Sequence, residues 1–243
     1  MTTLVLVHGA WAGAHGWRSV RTLLAAEGHE VFTPSLTGIG ERVHLASPQI
    51  DLTTHVNDVV NQIVFEDLRD IVLVGYSYGG VVVTAAVEHV HDRIRELVYL
   101  DAFVPLDGDS AFDALGADGP TLIGLGDEWL VPPPARDYDD PDEAAWQRPR
   151  RVAHPVRCFS ERVHLAQPLE SYAFGLTYIK AAREPRDTAS GNAFWAAAER
   201  AQASPRWRYY EIDTNHMVPS NRPGELAQLL VEIAGTSSSS SPR

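Results

Sequence analysis

One cysteine, Cys158, stands among 243 residues, so no internal disulfide can form. Without a Cys-x-x-Cys pair the common structural zinc frameworks are not expected either, and a reducing compartment is permitted. Basic residues are scarce: 20 Lys and Arg against 32 Asp and Glu leave a net charge of -12. That balance repels phosphate backbones and anionic headgroups, which argues against nucleic acid or a membrane surface as partner and for a small, neutral or apolar molecule. No stretch approaches the ~20 consecutive apolar residues that cross a bilayer. The opening Met-Thr-Thr runs straight into Leu-Val-Leu-Val. It lacks the basic start, longer apolar stretch and small-residue cleavage site of a signal peptide, which predicts a cytoplasmic protein. Nor is there a phosphate-binding loop: Gly79-Gly80 is followed by three valines, with no Lys-Ser/Thr and no Gly-x-Gly-x-x-Gly.

What is present is an ordinary globular composition, 44% hydrophobic and 21% charged, of a length that one α/β core accommodates. Apolar runs rich in Val, Leu and Tyr predict strands over 4–7, 30–33, 71–74, 97–100, 176–180 and 207–212. Stretches with helical spacing lie between and after them, over 17–27, 53–65, 78–91, 191–203 and 223–234. Asp51 is the expected cap of the second helix, and Asn221 before Arg-Pro-Gly-Glu that of the last. This alternation predicts an α/β fold with a mostly parallel sheet flanked by helices, formed by 1–104 and 175–235. Residues 105–174 break the rhythm with Pro132-Pro133-Pro134, an acidic run over 137–142 and scattered aromatics. They are expected to form an inserted cap, because a long excursion inside a compact domain is commonly a lid. The serine-rich stretch 236–243 is expected to be a flexible tail. Residues 41–46 and 161–166 both read Glu-Arg-Val-His-Leu-Ala, but their flanks differ and the repeat is taken as coincidence.

The strongest chemical signal is Gly75-Tyr76-Ser77-Tyr78-Gly79, set between a predicted strand and an apolar helix. In that context Gly-x-Ser-x-Gly makes a nucleophile elbow, a strained turn that lifts a serine hydroxyl clear of the sheet edge. A serine is a poor nucleophile at neutral pH and needs an imidazole to take its proton. Of ten histidines, His216 alone follows the final strand, where the base stands in this chain order. The acid that orients it is open. Asp101 directly follows the fourth strand and is preferred, because a sheet positions it; Glu184 and Asp187, on a proline-containing loop, are the alternatives. Backbone N–H groups of Tyr78 and Ala10 are the expected oxyanion donors, from the elbow and from the turn His8-Gly9-Ala10-Trp11.

These residues together resemble the α/β-hydrolase superfamily, and within it the branch of hydroxynitrile lyases, plant methylesterases and bacterial pyrethroid and salicylate esterases. The resemblance spans nearly the whole chain. It is carried by Leu-Val-Leu-Val-His-Gly-Ala-Trp11, Leu-Thr-Gly-Ile-Gly-Glu-Arg-Val-His-Leu45, the elbow, Tyr-Leu-Asp-Ala-Phe-Val-Pro105 and Asp-Thr-Asn-His216. It implies the α/β-hydrolase fold, a Ser-His-acid triad, an oxyanion hole, a cap domain and no cofactor or metal. The implied reaction is hydrolysis of a small carboxylic ester, thioester or lactone through an acyl-enzyme. Met217 stands where the lyases carry a cyanide-stabilising lysine, and Gly9 where they use a hydroxyl, so lyase activity is not expected. The branch's usual acid is also missing near Ala182, whereas haloalkane dehalogenases carry theirs in a context similar to Leu-Asp101-Ala-Phe. Gly9, Trp11, Phe103, Trp129 and Met217 are the expected pocket residues; Trp129, Tyr138 and Trp146 of the cap, with Phe103, suggest a bulky or aromatic substrate, the alternative being that the cap aromatics form its own core. The same scaffold also serves non-hydrolytic enzymes (lyases, cofactor-free oxygenases, polyketide-modifying enzymes) and ligand sensors that keep the triad.

Overall fold

The computed structural model describes residues 1–116 and 129–235. The expected tail lies outside them. Six strands form one sheet: β1 (Thr3–Val7), β2 (Glu30–Phe32), β3 (Ile71–Tyr76), β4 (Ile94–Leu100), β7 (Gly175–Ala181) and β8 (Trp207–Ile212). They lie in the order β2-β1-β3-β4-β7-β8, and every neighbouring pair is parallel. Alternation along each strand sends side chains to opposite faces. Leu4 and Leu6 of β1, with Val72 and Val74 of β3, join one apolar cluster with Val20 and Leu24 of α1 (Arg18–Ala26) and Leu226 and Leu230 of α9 (Pro223–Gly235). Val5, Val7, Ile71 and Leu73 face the other way. There they meet α2 (Leu52–Phe65), α3 (Gly79–Val90) and α7 (Ala189–Gln202). Both faces are thus covered, which is why the strands read as continuous apolar runs.

Asp51 caps α2 as expected, its Oδ1 accepting from the Thr54 N–H at 3.0 Å, a contact worth about 1 kcal/mol. Asn221 does not cap α9; it closes the short helix α8 (Val218–Asn221) that precedes it. Its amide instead donates to Asn215 Oδ1 at 2.9 Å, and its Oδ1 accepts from the Asp139 N–H at 3.0 Å. The short polar side chain is drawn between the loop that follows β8 and the 105–174 insertion, because the first accepts from its NH2 group and the second donates to its oxygen.

The described part of 105–174 contains no further strand of the main sheet. It holds helix α4 (Ala111–Leu115), an antiparallel pair β5 (Leu130–Val131) and β6 (His154–Pro155), and helices α5 (Pro141–Gln147) and α6 (Arg157–Ser160). Trp11 ties this segment to the core: its indole N–H donates to the Val131 carbonyl at 2.9 Å, and its carbonyl accepts from the Val152 N–H at 3.1 Å. The repeated hexapeptide has two unlike environments. Glu161 accepts from Thr53 at the start of α2, whereas Glu41 accepts from Ser35 and lies 3.6 Å from His15. No helix among the described residues is long and apolar enough to cross a membrane.

Candidate active site

Parallel strands bring all their carboxyl ends to one edge. The chain leaves β1 for β2 and then returns to β3 on β1's other side, which opens a crevice beyond β1 and β3. Ser77 stands at that point, immediately after β3, with φ of +57°. A non-glycine residue there is strained, and the surroundings hold it. Its N–H donates to the Leu100 carbonyl at 3.2 Å, and its own carbonyl accepts from Gly80 at 3.1 Å and Phe103 at 3.3 Å. The helix can follow so closely because position 79 lacks a Cβ, which would stand 2.7 Å from the Val7 carbonyl oxygen.

Ser77 Oγ lies 2.9 Å from His216 Nε2, and His216 Nδ1 lies 2.6 Å from Asp101 Oδ2. All three residues are buried. Of the three carboxylates considered from the sequence, Asp101 is the one within reach of the imidazole. Its other oxygen, Oδ1, accepts from Lys180 Nζ at 2.5 Å and from the Ala181 N–H at 3.3 Å. Lys180 is the chain's only lysine and is fully buried. Its position at the carboxyl end of an otherwise apolar strand was a readable signal, since a buried ammonium requires an acid. Burial alone would raise the Asp101 pKa, but the His216 hydrogen bond and the charges of His216 and Lys180 outweigh it and hold the carboxyl below its ordinary range. For His216, burial dominates and lowers the pKa; the Asp101 bond opposes it and the Arg136 charge reinforces it.

Glu184 has a different place from the one considered for it. Its Oε2 accepts the His216 backbone N–H at 2.9 Å, and its Oε1 lies 3.6 Å from Arg136. It anchors the main chain of the loop, not the ring. Asp187 is exposed on the surface. Two aromatic rings that the sequence reading passed over stack on the imidazole, Tyr76 at 5.0 Å and Phe194 at 4.8 Å between centroids. The Tyr76 hydroxyl also donates to the His216 carbonyl at 2.7 Å. Fixing the ring in this way lowers the cost of ordering it for chemistry.

The backbone N–H groups of Ala10 and Tyr78 make no hydrogen bond to another described residue. Ala10, Gly9, Trp11 and Met217 line a narrow cavity beside Ser77 that is partly open to solvent. A Cβ at position 9 would stand 2.9 Å from Ser77 Cβ, so glycine leaves the hydroxyl uncovered. Two expected pocket residues are elsewhere. Phe103 packs on Phe194 at 4.8 Å, behind the imidazole, and Trp129 is outside the cavity wall, its carbonyl accepting from Val156. Trp146 is also outside, stacked under the guanidinium groups of Arg18 and Arg150. Residues 105–174 contribute Arg136, Tyr138, Gln147 and Arg151 to the wall instead. Aromatic residues in an insertion are drawn to its own packing as readily as to a ligand, and composition does not tell the two apart.

Behind Tyr78, His55, His154 and Cys158 bring potential ligand atoms within 4.8 Å of one another. A spacing rule for zinc cannot see such a grouping, because its members come from α2, β6 and α6. His55 is engaged at both nitrogens, with Tyr78 Oη at 3.0 Å and the Thr37 carbonyl at 2.8 Å. Burial pulls its pKa down to about 4, holds that of His154 well below the ordinary imidazole value and raises the Cys158 thiol. Uncharged, the three brace the Tyr78 side chain.

A buried serine, imidazole and carboxylate in line on the carboxyl edge of a parallel sheet define the α/β-hydrolase architecture. The chain belongs to the alpha/beta hydrolase family, whose profile matches residues 4–229. It is 49% identical over 110 residues to a carbendazim hydrolyzing esterase of Nocardioides sp. (strain SG-4G), covering 45% of this chain and 46% of that protein. It is 31% identical over 130 residues to methylesterase 1 of Arabidopsis thaliana, 51% of this chain and 49% of the relative. The matched parts thus span about half the length of these relatives. An extracellular alpha/beta-hydrolase from a Paenibacillus species, reported to share structural and functional homology with tobacco salicylic acid binding protein 2, superimposes with a TM-score of 0.79 at 25% identity. That superposition covers 96% of this chain and 98% of the other.

Proposed function

We propose that this protein is a serine esterase acting on a small carboxylic ester, with Ser77 as nucleophile, His216 as general base and Asp101 as the acid that orients it. The observation that carries the reading is the continuous pair of contacts, 2.9 Å from hydroxyl to imidazole and 2.6 Å from imidazole to carboxylate. The likeness to an esterase and a methylesterase supports the same chemistry. Ser77 Oγ attacks the carbonyl while His216 Nε2 takes its proton, and Asp101 stabilises the imidazolium that forms. The Ala10 and Tyr78 N–H groups receive the developing oxyanion; removing one such donor typically costs about 3–4 kcal/mol. His216 then returns the proton to the leaving alcohol, and a water activated by the same imidazole releases the acid. The described part of 105–174, which supplies Arg136, Tyr138, Gln147 and Arg151 to the wall, acts as the lid of the cavity.

The test is a fluorophosphonate probe, expected to label Ser77 covalently and stoichiometrically and to stop ester turnover in proportion. Labelling elsewhere, or turnover that survives full labelling, would overturn the reading. A second expectation concerns pH. Catalysis requires neutral His216, whose pKa is depressed below its ordinary 6.5 chiefly by burial. The kcat/KM profile should therefore be flat around neutrality and fall only as pH drops through a midpoint below 6.5; a midpoint above 7 would contradict the assignment.

A further inference from the structure

We propose that the cavity beside Ser77 contains an anion subsite made by Arg151, Arg136 and the Tyr138 hydroxyl, so that the preferred esters carry a carboxylate remote from the scissile bond. The proposal rests on the esterase reading for the word ester, and on the cavity for the rest. Acidic residues outnumber basic ones by 32 to 20 in this chain, yet among the described residues the cavity wall contains two arginines and neither an aspartate nor a glutamate. The overall charge of -12, which favoured a neutral ligand, is thus inverted at the place where a ligand would sit.

Each member is unfinished as a structural contact. Arg18, Arg42, Arg93 and Arg222 each face a carboxylate: Glu143, Asp58, Asp67 and Asp139. Arg151 is half-buried, donates to the Pro134 carbonyl and forms no ion pair among the described residues. Burial pulls its pKa below the ordinary guanidinium value, and the nearby charge of Arg136 pulls the same way. A cation in that position is destabilised until an anion joins it. The Tyr138 oxygen is buried with no hydrogen-bond partner among the described residues, a condition that an arriving acceptor relieves. The fields of Arg151 and Arg136 both reach it. Arg136 is partly engaged, 3.6 Å from Glu184, which leaves Arg151 as the principal contact. A planar guanidinium suits a carboxylate because two parallel N–H donors meet its two oxygens.

The test uses one matched pair of esters, 4-acetoxybenzoate and its neutral counterpart 4-acetoxybenzamide, with the wild type, Arg151→Gln, Arg151→Lys and Tyr138→Phe. Arg151→Gln is expected to raise KM for the benzoate about tenfold more than for the benzamide, the equivalent of one charge-assisted contact. Arg151→Lys should recover part of the difference, and Tyr138→Phe, which removes a single oxygen, should lose a few-fold of it. The wild-type preference should shrink as salt is raised, because the site is partly open to solvent. A second arm is independent of turnover: calorimetric binding of 4-hydroxybenzoate and 4-hydroxybenzamide to Ser77→Ala, with and without Arg151→Gln. If neither ester is cleaved but benzoate binds more tightly and depends on Arg151, the esterase reading fails and the subsite stands. If both esters are cleaved, the variants change both alike and benzoate binds no better than the amide, the subsite fails and the esterase reading stands.

Discussion

Ser77→Ala is expected to lower kcat on any ester substrate by a factor on the order of 10⁶, the loss seen when a serine nucleophile is removed from a working triad. The fold should survive. What holds the elbow is main chain: the Ser77 N–H on the Leu100 carbonyl and the Ser77 carbonyl on Gly80 and Phe103, none of which needs the hydroxyl. Alanine at φ of +57° is no worse placed than serine, since both carry a Cβ. The lost side-chain bond to His216 is worth about 1 kcal/mol, so the melting temperature should move by only a few degrees. Residual activity within tenfold of wild type, in a sample free of contaminating esterase, would remove Ser77 from the mechanism.

The second large effect is at Asp101. Asp101→Asn should lower kcat by about 10⁴, because an amide can hold the wrong imidazole tautomer and cannot stabilise the imidazolium. It should also destabilise the protein, since Lys180 would be left buried without its counter-charge, and breaking a buried pair costs about 3–5 kcal/mol. The two losses can be separated. Adding Lys180→Met removes the stranded ammonium, so the double variant Asp101→Asn/Lys180→Met should regain much of the thermal stability and none of the turnover. Glu184→Gln, which weakens the anchor of the His216 main chain, should cost about tenfold or less, within the range of a single hydrogen bond to a charged group. Asp187→Asn, at an exposed position, should cost nothing measurable. A mild effect at Asp101 together with a severe one at Glu184 would reassign the acid.

The strand order explains why the acid was hard to read. Asp101 and Glu184 follow β4 and β7, adjacent strands of one sheet, so both approach the loop after β8. Which of them reaches the ring depends on local backbone shape. Asp101 has φ of +40°, and its N–H donates to the Ile179 carbonyl at 2.7 Å, a turn that aims its carboxylate at Nδ1. Glu184 is the third residue after β7, where Asp101 is the first after β4, and its longer side chain meets the His216 main chain instead.

By itself the sequence determined the α/β class, the strands and principal helices, the serine at the elbow and the histidine after the last strand. Those features are written in local patterns: alternation of apolar runs, a Gly-x-Ser-x-Gly between strand and helix, and position along the chain. Only the tertiary structure decided that Lys180 neutralises Asp101, that Tyr76 and Phe194 grip the imidazole, that Phe103 and Trp129 stand away from the cavity, and that two arginines face into it. Each of these is a meeting of groups from different elements, many of them separated by dozens of residues. Such meetings depend on how strands are ordered and how an irregular segment packs, and no periodicity in the chain records either.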